Sequence, residues 1–363
     1  MDRVAPAFDR FAHWPRAAAW AALAAVDQHL AGAVWTAPSP PPLEQPAAAA
    51  APASARTQRD TDLQLYDRIA QRVAAGENYY AAAVSQQRAG NFPVRPPAAV
   101  RLPTLAVLTA WLGPDGLLGL AALLGLGVIA AWWVRLGEEP GGSERRVIAM
   151  LLLAVGALAG LKPEYLAIHE VWAGLLLALG GGLHRPGKWR AAWLPVALAL
   201  AIREHALPFA LLLVALAAWR RDWRECAAWL VLVGLFAAGL AWHWHAVGEH
   251  LLASDRPSSS WLAFRGLRGW TGNIVESSVL HGLPARLAAP LALLPLLGWA
   301  GWNTPAGRFF TLLNAGYGLL FMIAGRDDNF YWALVVTPAW FVGYAFVPMA
   351  LRSLLASAAP ARS

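Results

Sequence analysis

Long apolar runs, each broken by a short polar turn rich in arginine, recur from one end of this chain to the other. A membrane-crossing helix needs about 20 predominantly apolar residues. Ten candidate spans follow from the pattern, near 14–36, 115–136, 146–161, 166–184, 190–202, 206–219, 226–246, 286–302, 307–324 and 330–351. The pair 190–202 and 206–219 flanks Arg203-Glu204 and is too short for two spans facing lipid. It predicts two short helices shielded by protein, the only place where a break at membrane depth is tolerated. The first run is the weakest, because Asp27, Gln28 and His29 stand in its middle. Ionisable groups inside a membrane usually face a bundle interior.

The cations between the runs are distributed unevenly. With the N-terminus in the cytoplasm, the cytoplasmic turns hold Arg135, Arg145, Arg146, Arg185, Lys188, Arg190, Arg220, Arg221, Arg224 and Arg308. The short opposite turns hold only Lys162, Arg203 and Arg326. The positive-inside rule then predicts both termini in the cytoplasm.

Two long segments fall outside, 37–114 and 247–285. The first opens with Pro38-Ser39-Pro40-Pro41-Pro42 and the tract Ala47–Ala51, a flexible linker composition. Leu63, Tyr66, Ile69, Ala70 and Val73 follow at helical spacing and predict an amphipathic helix over Thr61–Tyr80. Thr61 with Gln64 resembles a capping box. Such a helix is fit to lie along a membrane surface. Pro93 to Pro103 breaks helicity, and Leu102–Leu112 reads as a short apolar helix ended by Gly113-Pro114. The second segment is rich in Ser, Arg and Trp. The expected fold is a single all-α polytopic bundle over residues 1–363, with surface helices in its first outer loop.

Composition agrees. Of 363 residues 58% are hydrophobic and only 14% charged, with a mean hydropathy of +0.44. Soluble domains carry about 25% charged residues. The net charge of +7 does not point to nucleic acid, because the cations sit between apolar runs where they anchor helices. Many of the 20 tryptophans, such as Trp132-Trp133 and Trp242, lie near run ends, as in an aromatic belt. The single cysteine, Cys226, allows no intrachain disulfide. No cleavable signal peptide is evident.

Several polar groups could carry chemistry. Asp60 and Asp62 open the amphipathic helix, where the macrodipole keeps a carboxylate ionised. There a carboxylate can accept a proton from a hydroxyl, although plain N-capping accounts for the spacing equally well. Asp327-Asp328 can bind a cation or sugar hydroxyls, or simply cap a turn. Lys162, Glu164, His169 and Glu170 form a further outer cluster. His243, His245, Glu249 and His250 invite a metal reading. However, residues two apart on a helix do not share a face, so His243 and His245 diverge.

Certain segments carry a family resemblance. Asp62-Leu-Gln-Leu-Tyr66-Asp-Arg-Ile69-Ala70 is followed by Gly76-Glu77-Asn78-Tyr79-Tyr80, Asn91-Phe92-Pro93 and Pro96-Pro97. This run resembles the first outer loop of GT-C-type membrane glycosyltransferases. Ala201-Ile202-Arg203-Glu204 and Gly325-Arg326-Asp327-Asp328-Asn329-Phe330-Tyr331-Trp332 are similar to the family as well. The departures are Thr61 between Asp60 and Asp62, and Arg95-Pro96-Pro97 in place of Lys-Pro-Pro.

The resemblance implies a bacterial inner-membrane enzyme moving a sugar from a polyprenyl-phosphate donor to a periplasmic or cell-envelope acceptor, a glycan or a lipid. Its partners would be membrane lipid and these two substrates. It implies no certain cofactor and leaves a divalent metal open. Asp62 would be the base, with Asp60 as helper or substitute. Arg203, Arg326 and Arg101 would hold phosphate, with Arg265 a further candidate and Arg203 ranked first. Glu204, Asp327, Asp328 and Tyr66 would complete the substrate site. A guanidinium suits phosphate because its fork matches the oxygens and stays charged. The alternatives are a non-catalytic membrane protein or transporter sharing the architecture, and an acyl- or phosphotransferase acting on the same face.

Overall fold

The structure, a computed structural model, describes residues 8–36, 61–157 and 162–360. Asp60 and the Pro/Ala linker lie outside them. Among the described residues there is no strand, only isolated bridges and helices. Four helical stretches are long and apolar enough to cross a bilayer: Pro97–Glu138, Trp223–Gly248, Pro305–Ile323 and Thr337–Ala358. The chain is therefore an all-helical membrane protein.

In chain order the helices are α1 (Arg16–Thr36), α2 (Thr61–Ala74), α3 (Tyr79–Ala89), α4 (Thr104–Glu138), α5 (Arg146–Ala157), α6 (His169–Leu183) and α7 (Arg190–Ile202). There follow α8 (Leu207–Trp219), α9 (Trp223–Gly248), α10 (Gly266–Glu276), α11 (Ala285–Gly301), α12 (Pro305–Ile323), α13 (Thr337–Trp340) and α14 (Val347–Ala358).

The segment expected to form the first outer loop departs from expectation in two places. The amphipathic stretch is two helices, because Gly76 turns the chain in the left-handed region (φ +90°). Asn78 then caps α3, its Oδ1 accepting from the amides of Tyr80 (2.9 Å) and Ala81 (3.3 Å). Nor does α2 lay its apolar face on lipid. Leu65 and Ile69 are buried with Tyr79, Tyr80 and Val84 of the α3 region, with Val94 and Val100 of the following loop, and with Val247 at the end of α9. Gly113-Pro114, read as a stop, is instead a kink inside α4: Gly113 takes φ +66° and the helix continues to Glu138.

The expected span 330–351 is not one helix. A 3-10 segment over Asp327–Val335 leads into the four-residue α13, a second 3-10 segment over Phe341–Phe346, and only then α14. Pro338 and Pro348 each lack an N–H for a continuous ladder. Irregular backbone of this kind needs protein around it, and almost every residue from Trp332 to Val347 is buried. The fit is close. A Cβ on Gly174 of α6 would fall 2.1 Å from the Leu334 carbonyl oxygen.

The aromatic belt also divides. Trp133 and Trp242 are exposed, whereas Trp132 is completely buried and donates to the Ala178 carbonyl (2.9 Å). Trp132, Trp299 and Phe310 stack into the core, and Trp302 stacks on Phe346. The polar residues Asp27, Gln28 and His29 of α1 do not face the bundle interior; all three are exposed.

Candidate functional site

One large cavity, of about 1990 Å³, opens at the end of the bundle where α2, the first turns of α4 and α6, the α7–α8 turn and the 326–334 segment meet. Its walls gather residues far apart in sequence, and each is held by its local structure.

α2 presents Asp62 in its first turn and Tyr66 one turn later, both to the cavity. The loop after α3 brings in Arg101. Tyr79 donates its phenol to the Arg101 carbonyl (2.5 Å), fixing the backbone there. The Arg101 guanidinium then donates to two phenols, Nε to Tyr66 and Nη2 to Tyr331, each at 3.3 Å. Among the described residues Arg101 has no carboxylate within ion-pair distance.

Arg203 sits in the break between α7 and α8. It leaves the helix in an extended conformation (φ −150°, ψ 121°), and a short 3-10 turn over Glu204–Ala206 carries the chain into α8. Pro208 suits this start, since an amide there has no partner within the helix. The turn is pinned from two sides: Thr104 donates to the Ala201 carbonyl (2.6 Å) and Tyr317 to the His205 carbonyl (2.5 Å). The Arg203 side chain is 1% exposed. Its Nε donates to Glu170 (2.7 Å), at the start of α6, and its Nη1 to Glu204. His205 packs tilted against Trp332 with ring centroids 4.4 Å apart, and its Nδ1 lies 3.8 Å from Glu170. His169 packs edge-on against Tyr66 at 5.2 Å.

Arg326 lines the cavity and pairs with its neighbour Asp328 (3.2 Å). Asp327 does not line it. Its carboxylate turns to Arg265 (3.4 Å), whose guanidinium also donates to Asn273 (3.1 Å) and to the carbonyls of Phe321 and Ala324. Arg265 thus fastens α10 to the end of α12. The two adjacent aspartates serve different arginines and do not converge. Among the described residues no group of three or more His, Cys, Asp or Glu is placed to hold a metal ion. His243 is buried, with Nε2 against the Val100 carbonyl (3.1 Å), while His245 reaches only Glu249.

The two long segments that flank the cavity, around residues 88–95 and 250–258, are tied together beside it. Arg88 of α3 grips Asp255 with two hydrogen bonds (2.6 and 3.0 Å) and donates to the His250 carbonyl (3.0 Å). The amide of Val94 donates to the Arg256 carbonyl (3.0 Å), and that of Ser258 to the Arg95 carbonyl. The hydrogen bonds from Arg88 hold the Asp255 carboxyl down to about 2.

Of the residues the sequence pointed to, Asp62, Tyr66, Arg101, Arg203, Glu204, Arg326 and Asp328 line this one cavity. Lys162, Glu164, His169 and Glu170 line it too. Asp327 does not, and Asp60 lies outside the described residues. Sequence reasoning passed over His205 and gave Tyr331 no role, although Tyr331 stood in a quoted motif. Both were legible only as neighbours of a charged step.

One wall of the cavity is largely apolar. Leu105, Ala106, Thr109, Ala110, Gly113 and Leu117 of α4 run from the polar end down the cavity. At 1.5 Å per residue this is a strip of about 18 Å. Comparisons of the chain with protein-family models, with curated proteins and with solved structures give no match.

Proposed function

We propose that the chain is a membrane glycosyltransferase of the GT-C kind, moving a sugar from a polyprenyl-phosphate donor to a hydroxyl on a glycan or lipid acceptor. The observation that supports it is the single cavity that joins Asp62 and other carboxylates, several cations and an apolar strip along α4. A drug-sized ligand occupies a pocket of about 300–1,000 Å³. The volume here, about twice that, suits a lipid-linked donor together with an acceptor.

In this reading Asp62 accepts the proton of the acceptor hydroxyl while its oxygen attacks the anomeric carbon. The bond from that carbon to the phosphate oxygen breaks, polyprenyl phosphate leaves, and the configuration inverts. Arg101 stabilises the charge growing on the leaving phosphate, with Arg326 in support. Arg203, gripped by two carboxylates, holds the turn in place and does not act as the first phosphate ligand. The site would lie on the outer face of a bacterial inner membrane, with both termini in the cytoplasm and about ten membrane-embedded segments.

The test is the full chain in proteoliposomes with polyprenyl-phosphate sugars and a panel of acceptors. General-base catalysis contributes about 10²–10⁴-fold, so Asp62→Asn should lose at least about 100-fold in turnover with donor binding retained. Unchanged turnover would remove Asp62 from the mechanism.

A further inference from the structure

A second, smaller cavity of about 250 Å³ lies at the other end of the bundle. α4 lines the first cavity at Leu105 and the second at Arg135. Thirty residues of helix separate these positions by about 45 Å, somewhat less across the kink. α12 joins the same two ends in the opposite direction, with Pro305 on the second cavity and its C-terminal end leading to Arg326 on the first. Both helices belong to stretches that can cross a bilayer, so the two cavities face opposite sides of it.

The charged lining of the second cavity is of one sign. Arg135, Arg220 and Arg308 line it beside a neutral-leaning His184, and among the described residues no carboxylate does. The acids of this region stand behind the wall. Glu139 pairs with Arg135 (2.9 Å), and Glu225 receives His184 (2.8 Å), Arg220 (2.9 Å) and the Gly187 amide (2.9 Å). They fix those three side chains and leave the cavity face cationic. Arg308 forms no ion pair among the described residues. Close to it, Nε and Nη2 of Arg10 are buried and meet no hydrogen-bond acceptor among the described residues. Burial, and then the charge of Arg308, lower the pKa of Arg10, as expected of two guanidiniums brought together. The N-terminus of α12, capped by Thr304, adds its positive end to the same wall.

We propose that this cavity binds a phosphate-bearing anion. Like charges held side by side need a counter-charge. An anion seated among Arg308, Arg220 and the α12 N-terminus supplies it, in a geometry that helix ends and arginine forks favour. A phosphate or phosphodiester group fits the volume. Trp219, 82% exposed on the cavity rim, and Trp223 beside it place the opening at the level of the membrane interface. An anionic phospholipid headgroup and free phosphate share this chemistry.

The experiment is thermal unfolding of the detergent-purified full chain. It is titrated with short-chain phosphatidylglycerol, with inorganic phosphate, and with phosphatidylcholine as a zwitterionic control. Arg308→Gln, Arg10→Gln and Lys188→Gln are run in parallel; Arg308 and Lys188 are exposed and their replacement leaves the core untouched. A charge-assisted hydrogen bond is worth about 1.5–3 kcal/mol, so losing one should weaken binding by about tenfold or more. The expected result is stabilisation by an anionic ligand that falls by that factor in Arg308→Gln and Arg10→Gln but not in Lys188→Gln. Stabilisation by phosphatidylglycerol alone identifies a lipid headgroup; stabilisation by phosphate as well identifies the free ion. An equal response to phosphatidylcholine, no response to any ligand, or an unchanged response in Arg308→Gln and Arg10→Gln overturns the proposal.

Discussion

Replacing Arg203 by methionine isolates what its buried guanidinium does. Methionine keeps much of the side-chain volume, so the cost is electrostatic rather than a cavity. Two carboxylates lose their partner, but not equally. Glu204 is about one-third exposed and can turn to water, so its share is that of a surface pair, about 1 kcal/mol or less. Glu170 is 2% exposed and has no such escape. Breaking a buried pair by removing one partner costs about 3–5 kcal/mol, and nearly all of it should come from Glu170. The assay is denaturant unfolding in mixed micelles at pH 8, where an ordinary histidine is neutral and His205, at 3.8 Å, cannot substitute for the lost charge. Glu170→Gln combined with Arg203→Met removes the stranded charge and should restore about 2 kcal/mol or more relative to the single variant. A single variant that loses less than about 1 kcal/mol, or a double variant whose loss is the sum of the two singles, would refute the assignment of Arg203 to the fold.

Other outcomes follow from the same geometry. Arg101→Gln should weaken donor binding by about tenfold, the worth of one charge-assisted hydrogen bond, while the melting temperature moves little; a large stability loss with unchanged binding would contradict this. Gly174→Ala places a Cβ 2.1 Å from a backbone oxygen, and should destabilise by about 1–3 kcal/mol as overpacking does, read from unfolding curves. The Arg88–Asp255 link gives a pH dependence. The carboxyl is held at about 2, below its ordinary 3.8, so its contribution is complete above roughly pH 4. It is lost as the pH falls toward 2. Amide exchange in residues 91–100 and 250–258 should rise over that window, and Asp255→Asn should show the faster exchange already at neutral pH.

The apolar periodicity carried most of the helix positions. The stretches 190–202, 206–219, 226–246, 286–302 and 307–324 fall within three residues of α7, α8, α9, α11 and α12 at every boundary. It failed where tertiary packing overrides a hydrophobic run. From 330 to 351 the composition is that of a span, yet the chain breaks at Pro338 and Pro348 and packs closely on α6 at Gly174; the prolines were readable, but a run of apolar letters does not record close approach. The helix over 61–80 divided for a local reason that was readable, since Gly76 followed by Asn78 is a break and a cap. Its apolar stripe gave the buried face correctly but could not say whether protein or lipid covers it. Trp132 and Trp133 make the same point: adjacent tryptophans at a run end point in opposite directions, and only one can belong to a belt.

The site was legible as a set of charged steps and illegible as a hierarchy among them. Arg101, Arg203, Arg265 and Arg326 are alike in sequence, each an outer arginine beside an apolar run. Their neighbours separate them. Arg203 answers to two carboxylates, and Arg326 and Arg265 to one each. Arg101 donates only to neutral phenols. A carboxylate partner cancels most of an arginine's attraction for a second anion, whereas a phenol orients the guanidinium and leaves its charge intact. Inside a low-dielectric cavity that difference outweighs small differences in distance. On the proposed function, the cation best placed to receive a phosphate would be the one with the weakest partners, which would invert the order that burial between two short helices suggested. The same logic governs the opposite end of the bundle, where acids stand behind Arg135 and Arg220 but none among the described residues meets Arg308.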